Sequence, residues 1–458
     1  MFLITKSRFT VTVTLILTAF LSIFAITEFI SPPHSQSSKS SKSPKNIILI
    51  IGDGMGMPMI NSYRTLKSEK LNTPVQTAWD SYLTGMQMTK PNDPRDNITD
   101  SSAAATAMAT GTKTYNDAIA VDNNHQRLKS VTEAAKEKKK SVGIVVTSDL
   151  TDATPAAFGV HNVSRKNYTE IADQYYDERI NGSHKVDVLL GGGAKYFIRN
   201  DRNLAEEFRK DGYHYVTTKQ DLKKNQHEKL LGLFGEVELD KAIDRENSTP
   251  SLKDMTEAAL TQLQKNENGF FMLMEGSNID NAAHENDVVG ALSEMEDFEK
   301  GVQAALDFAK KDQETLVIIT ADHSTGGFSY GAEGMTRETG YKWDPSPIIA
   351  AKKTPGYMAE KIAEGQDAEK VLSTYVDMKL TENEINQVKN AASQSNTAEI
   401  QKSIQLIFDK RSFSGWTTLA HTGEDVPVYA YGPGKEKWKG LIDNTQQAKN
   451  IFAIFEQK

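Results

Sequence analysis

Cysteine is absent from all 458 residues, and that absence closes several chemistries at once. Disulfides, thiolate metal sites and a cysteine nucleophile are excluded, so a transition metal has only imidazole and carboxylate donors to use. Positive charge is also short. The formal net charge is −8, and because residues 1–45 hold Lys6, Arg8, Lys39, Lys42 and Lys45 against Glu28 alone, residues 46–458 carry −12. Such a chain repels nucleic acid, and it repels phosphate esters too unless bound divalent cations reverse the sign locally. A signature loop is missing as well: no G-x-x-x-x-G-K-[ST] occurs, which removes the P-loop. The glycine loop IGDGMGMP follows an apolar run, but Met57 stands where a dinucleotide fingerprint requires glycine, and Asp53 would face a pyrophosphate with like charge.

What is present is an ordinary globular composition, 38% hydrophobic and 25% charged, with length enough for a large core. One uncharged run, Phe9 to Thr27, approaches membrane-spanning length, and Lys6 and Arg8 precede it. Residues 1–30 are therefore expected to be a signal peptide or an N-terminal anchor, and the setting extracytoplasmic, either secreted or held on the outer face of the membrane. Residues 31–45 form a Ser/Lys/Pro linker with nothing to bury. Apolar runs then recur from Asn46 to Gly52, Val142 to Asp149, Val186 to Gly193, Phe270 to Gly276, Thr315 to His323 and Val426 to Gly432. Helical patterns separate them at Ser130 to Lys140, Leu252 to Lys265 and Ser293 to Lys310. Strand alternating with helix predicts an α/β fold, a doubly wound, mostly parallel sheet with helices on both faces. About 328–414 the rhythm breaks into polar helices with a capping box at Thr381-x-x-Glu384, which reads as a cap inserted within one domain spanning 46–458.

The stretch NITDSSAAATAMATG, Asn97 to Gly111, sets Asp100, Ser101 and Ser102 before an alanine-rich helix. Thr99 or Asp100 caps that helix, so Ser101 falls in its first turn, where free N–H groups favour an anion and a hydroxyl is placed to attack a phosphate. Taken alone, a serine or aspartate before a helix is only its cap. Ligands of open α/β sheets, however, bind beyond the carboxyl ends of the strands. Those ends carry Asp53, Asp149 and Asp152, Glu275, and Asp322 with His323. Asp280 and His284 follow at i, i+4 spacing on one helix face, and His421 precedes the last strand. Histidines among aspartates, with thiolates absent, suit zinc and other divalent ions. Arg165, unremarkable by itself, becomes a bidentate phosphoryl clamp if it lies beside them.

The motifs IGDGMG, TDSSAAATAMATG, DATPAAFGVHNVSR, MEGSNIDNAAH, TADH and HTGEDVPVYAYGP, in that order, resemble the alkaline phosphatases, the last of them the Bacillus-type enzymes. The resemblance implies a phosphate monoester hydrolase acting through a phosphoseryl intermediate on Ser101. It implies two Zn2+ ions, one on Asp280, His284 and His421 that activates the hydrolytic water, and one on Asp53, Asp322 and His323 that binds the Ser101 alkoxide. It implies one Mg2+ on Asp53, Thr154 and Glu275, reached by Asp152 through water. Arg165 would clamp the phosphate and Asp100 orient Arg165. Asn281 stands where some members carry a basic residue that helps hold phosphate, which implies weaker product binding and faster release. Small-molecule phosphate monoesters are the expected substrates, and a homodimer is common in the family. The alternative readings are a phosphodiesterase or sulfatase on the same sheet, or a catalytically silent metal-binding protein of the cell envelope.

Overall fold

The computed structural model describes residues 43–338, 340–394 and 396–457; the expected export segment 1–30 and most of the linker 31–45 lie outside the described residues. One ten-stranded sheet organises the chain. Its strands are β1 (Asn46–Gly52), β2 (Leu83–Met88), β3 (Ser141–Asp149), β4 (Val188–Gly192), β5 (His214–Val216), β6 (Leu230–Leu233), β7 (Phe270–Gly276), β8 (Thr315–Ala321), β9 (Val426–Tyr431) and β10 (Gly440–Asp443). They lie in the order β10-β2-β9-β8-β1-β7-β3-β4-β6-β5. All neighbours are parallel except those of β9, which runs antiparallel to both β8 and β2.

The unbroken apolar runs are explained by burial on two faces. Along β1, Ile48 and Ile50 enter one hydrophobic layer while Ile47, Leu49 and Ile51 enter the other, as the two-residue period of a strand requires. The first layer is completed by helices α1 (Met57–Lys70) and the long Val288–Asp312. The second is completed by α2 (Ser101–Thr110), α3 (Ala153–Gly159) and the C-terminal Thr445–Glu456. Helices therefore cover both faces.

Several elements depart from the sequence expectation. The strand from Val426 is antiparallel, and β2 and β10 carry no apolar run because the solvent-facing edge leaves Leu83, Met88 and Leu441 exposed. The helix expected from Ser293 begins at Val288, because Asp287 caps it by accepting from the N–H groups of Val289 and Gly290. Between residues 331 and 413 the chain leaves the sheet for the helices Ser346–Ile349, Pro355–Ala363, Ala368–Tyr375, Glu382–Ser393 and Thr397–Ser412. The Thr381–Glu384 capping box is formed. Antiparallel pairing of Ser329–Tyr330 with Ser414–Gly415 closes the base of this excursion.

Register fixes the functional end of the sheet. Gly52 lies opposite Gly276 of β7 and Ala321 of β8, and Glu275 lies opposite both Ile51 and Val146. Asp53, Glu275 and Asp322 thus emerge at one level on adjacent strands.

Candidate active site

Asp100 is the N-cap of α2: one carboxylate oxygen accepts from the Ala103 N–H at 2.8 Å. Its other oxygen takes the Ser102 hydroxyl at 2.5 Å, the Asp117 N–H at 2.9 Å and Arg165 Nη1 at 3.4 Å. Ser101 is the first residue of the helix, 2% exposed, with Oγ 3.1 Å from His323 Nε2. Arg165 reaches Asp152 at 2.9 Å through Nη2. Burial works against its charge, but Asp152 and Asp100 outweigh it and fix the guanidinium as a cation.

Two groups of donors flank Ser101. Asp53, Asp322 and His323 form one, Asp280, His284 and His421 the other, and within each group the ligand atoms lie within 4.8 Å of one another. The two-residue ribbon Ser324–Thr325 with His421–Thr422 brings His421 onto His323, their rings stacked with centroids 3.6 Å apart. Each histidine has its Nδ1 occupied. His284 Nδ1 donates to the Leu419 carbonyl at 2.6 Å, His421 Nδ1 to that of Thr99 at 2.9 Å, and His323 Nδ1 to the Thr325 hydroxyl at 3.2 Å. That assignment turns three Nε2 atoms inward, those of His284 and His421 3.0 Å apart and that of His284 also 3.2 Å from Asp280. Buried carboxylate oxygens add to this: Asp53 Oδ1, Asp322 Oδ2 and Glu275 Oε1 have no hydrogen-bond partner.

The charge balance shows in the proton affinities. Burial, followed by the charges of Asp322, Asp280, Glu275 and Asp152, pushes Asp53 well above the usual carboxylate range. Burial and Asp152 do the same to Glu275. Burial would raise Asp280 also, but the hydrogen bond from His284 and the other histidines hold it well down, while the Asp280 hydrogen bond lifts His284 to about 9. Burial and the neighbouring His323 bring His421 down to about 4, so it is neutral and available as a donor. Lone pairs and unpaired carboxylates facing one another in a dry site fit divalent cations.

A third region lies under the Ser101 side, where Thr154 is fully buried, Asp152 is tied to Arg165, and Glu275 accepts from Ser277 Oγ at 2.6 Å. Its oxygens suit a hard cation. Asn281 stands apart: its amide donates to Asn278 Oδ1 at 2.9 Å, and it lines a neighbouring cleft of about 720 Å3 rather than touching either donor group. Sequence reasoning missed Thr325, whose hydroxyl hydrogen-bonds both Asp280 and His323, and the carbonyls of Thr99 and Leu419. It also missed why Gly54 is glycine. With φ at +67°, a Cβ there would meet Asp280 Oδ1 at 2.7 Å and Thr325 Oγ1 at 2.8 Å.

A buried hydroxyl at a helix N-terminus, an arginine beside it and histidine–carboxylate groups on both flanks define a metal-dependent hydrolase of the α/β class. The chain belongs to the alkaline phosphatase family, whose profile matches residues 44–457, and it is a phosphate monoester hydrolase. It is 55% identical to alkaline phosphatase 3 of Bacillus subtilis (strain 168) over 434 residues, 93% of each chain. It is 54% identical to alkaline phosphatase 4 of the same organism, over 95% of this chain and 94% of that one. Among solved structures, the cold-active alkaline phosphatase from a psychrophilic Shewanella sp. superposes with a TM-score of 0.83 at 36% identity, covering 90% of this chain and all of that one.

Proposed function

We propose that this hydrolase works through Ser101, whose Oγ attacks the phosphoryl group and carries it as a phosphoseryl intermediate until water releases phosphate. The observation that supports this most directly is the position of Ser101 Oγ, at the first turn of α2 and 3.1 Å from His323 Nε2. There the free N–H groups of the turn and the Arg165 guanidinium receive the equatorial oxygens. Asp100 and Asp152 hold that guanidinium in orientation from two sides. Asp280, His284 and His421 would hold one zinc, and Asp53, Asp322 and His323 a second. Asp53, Thr154 and Glu275, with Asp152 nearby, would hold a magnesium. The chemistry these ions supply when bound is Lewis-acid stabilisation of the attacking and leaving oxygens, with lowered hydroxyl and water pKa values. Arg165 and the fuller donor set favour monoesters over diesters or sulfates.

Residues from about 328 to 414 are read as a cap on the 46–458 domain, supported by the short ribbon that closes its base. Residues 1–30 support export, placing phosphate release from small esters outside the cytoplasm. Asn281, next in the chain to Asp280, would leave product weakly held; Asn281→Lys is expected to tighten inhibition by inorganic phosphate severalfold.

The test is hydrolysis of a chromogenic monoester from pH 7 to 11, before and after chelation, with zinc and magnesium added back, together with acid trapping of labelled phosphate on the protein. Activity that returns only with both metals, and label lost in Ser101→Ala, supports the reading. Label retained in that variant overturns it.

A further inference from the structure

The reactive centre is closed on the sheet side. Ser101, Asp53 and His323 are 2%, 3% and 0% exposed, so the group esterified to a bound phosphoryl has to point outward past the first exposed side chains. Beyond the part-exposed Arg165 and His284, three exposed side chains close in the chain to the site are aliphatic. Ile98, 40% exposed, immediately precedes Thr99, whose carbonyl holds His421. Leu419, 65% exposed, gives its own carbonyl to His284. The two imidazoles meet at 3.0 Å, so the backbone groups that hold them carry Ile98 and Leu419 on separate loops beside one histidine pair. Val163, 45% exposed, stands two residues before Arg165, its carbonyl accepting from the Tyr115 hydroxyl at 2.8 Å.

Scattered exposed aliphatics are common on any surface. These three sit on the three loops that deliver the serine, the arginine and the histidines, each within two residues of a group that touches the site. The charges beside them are largely acidic: Asp96, Glu424 and Asp425 are exposed, while Lys166 is paired with Asp117 at 3.5 Å. An anionic leaving group is repelled there, and an uncharged apolar one is not.

We propose that Ile98, Leu419 and Val163 form a leaving-group subsite that selects monoesters of apolar alcohols. This rests on the assignment of Ser101 and Arg165 above. A methylene taken fully out of water is worth about fourfold in affinity. A rim that covers one side of a chain is expected to give about twofold per methylene for the first few.

The experiment measures kcat/KM of the zinc- and magnesium-loaded enzyme on methyl, butyl, hexyl and octyl phosphate. Their alkoxide leaving groups are of nearly equal basicity, so the series reads contact rather than chemistry. The octyl-to-methyl ratio is expected to be tenfold or more. It should fall at least threefold in Leu419→Ser and in Ile98→Ser, and approach unity in the double variant. A flat series in the unaltered enzyme, or an undiminished ratio in the double variant, overturns the subsite while leaving the Ser101 assignment intact. Absence of turnover on every ester, with no phosphate trapped on Ser101, overturns both.

Discussion

Among the described residues, two parts of this molecule gather histidine and carboxylate donors within 4.8 Å of one another, and they come to opposite ends. At the sheet edge, Asp53, Asp322, Asp280 and Glu275 crowd together with three inward-facing Nε2 atoms, and the nearest cation, Arg165, is engaged by Asp100 and Asp152. On the flank of the sheet, Glu133, His161 and Glu178 make a group of the same composition. There the buried Lys185 ammonium fills the centre, 3.1 Å from Glu133, against Glu178, and 3.4 Å from His161 Nδ1, while Arg127 adds a second cation on Glu178 at 2.7 Å. His161 Nε2 donates to the Leu128 carbonyl at 2.9 Å, and its Nδ1 lies between the lysine and Glu178 Oε2, 3.3 Å from the latter. Donor type and spacing do not distinguish these places. Charge compensation does: one group brings its own cation, and the other is built to wait for one.

The sharpest way to break the comparison is to remove the cation from each side. Chelation is expected to lower monoesterase activity by about a thousandfold or more, since several kcal/mol of transition-state charge stabilisation depart with the ions. The same treatment should leave the Lys185 group unaffected, read as unchanged amide exchange around His161. Next in size, Lys185→Met leaves Glu133 without its cation and Glu178 with Arg127 alone, and is expected to cost about 3 kcal/mol, measured as a fall in the urea midpoint. If charge compensation is the right distinction, zinc should partly restore that midpoint in the variant and do nothing for the wild type. A midpoint unchanged by the substitution would break the comparison outright.

A smaller effect is expected at Thr325, whose hydroxyl bridges the two donor groups at the sheet edge. Thr325→Val removes the acceptor that fixes the His323 tautomer and the donor on Asp280, and should weaken metal retention about 10- to 100-fold, read by competition with a chelator. The smallest is a pH effect. Burial alone would raise Glu178, but hydrogen bonding from His161 and the charge of Lys185 bring it down to about 2. A carboxylate depressed in the folded state stabilises above its ordinary value of 4.5 and loses that contribution as pH falls toward 2. The urea-midpoint gap between metal-free wild type and Glu178→Gln should therefore be widest above pH 4.5 and close on acidification. A gap independent of pH counts against the pairing. Asp53, raised rather than lowered, should show the opposite slope in the metal-free protein.

Much of the sheet edge was legible because parallel strands buried on both faces cannot disguise themselves: β1, β3, β7 and β8 are apolar runs, each with its acid at the carboxyl end. Asp100 and Ser101 were legible because capping chemistry is local. β2 and β10 were not, since the last two strands on that side, with Leu83, Met88 and Leu441 facing solvent, have no apolar run. Backbone ligands leave no mark on side-chain identity, which hid the carbonyls of Thr99 and Leu419. The Glu133–His161–Glu178–Lys185 group was hidden for a related reason: its members come from separate elements that only the folded chain brings together.

The donors that converge on Ser101 begin at Asp53 and end at His421, and β1, at the middle of the sheet, pairs only with strands made more than 200 residues later. The full set of donors is therefore spread over most of the chain. A growing chain cannot assemble it until the segment bearing His421 has been made and folded back on His323, so the enzyme stays silent throughout its own synthesis and acquires activity in one late step.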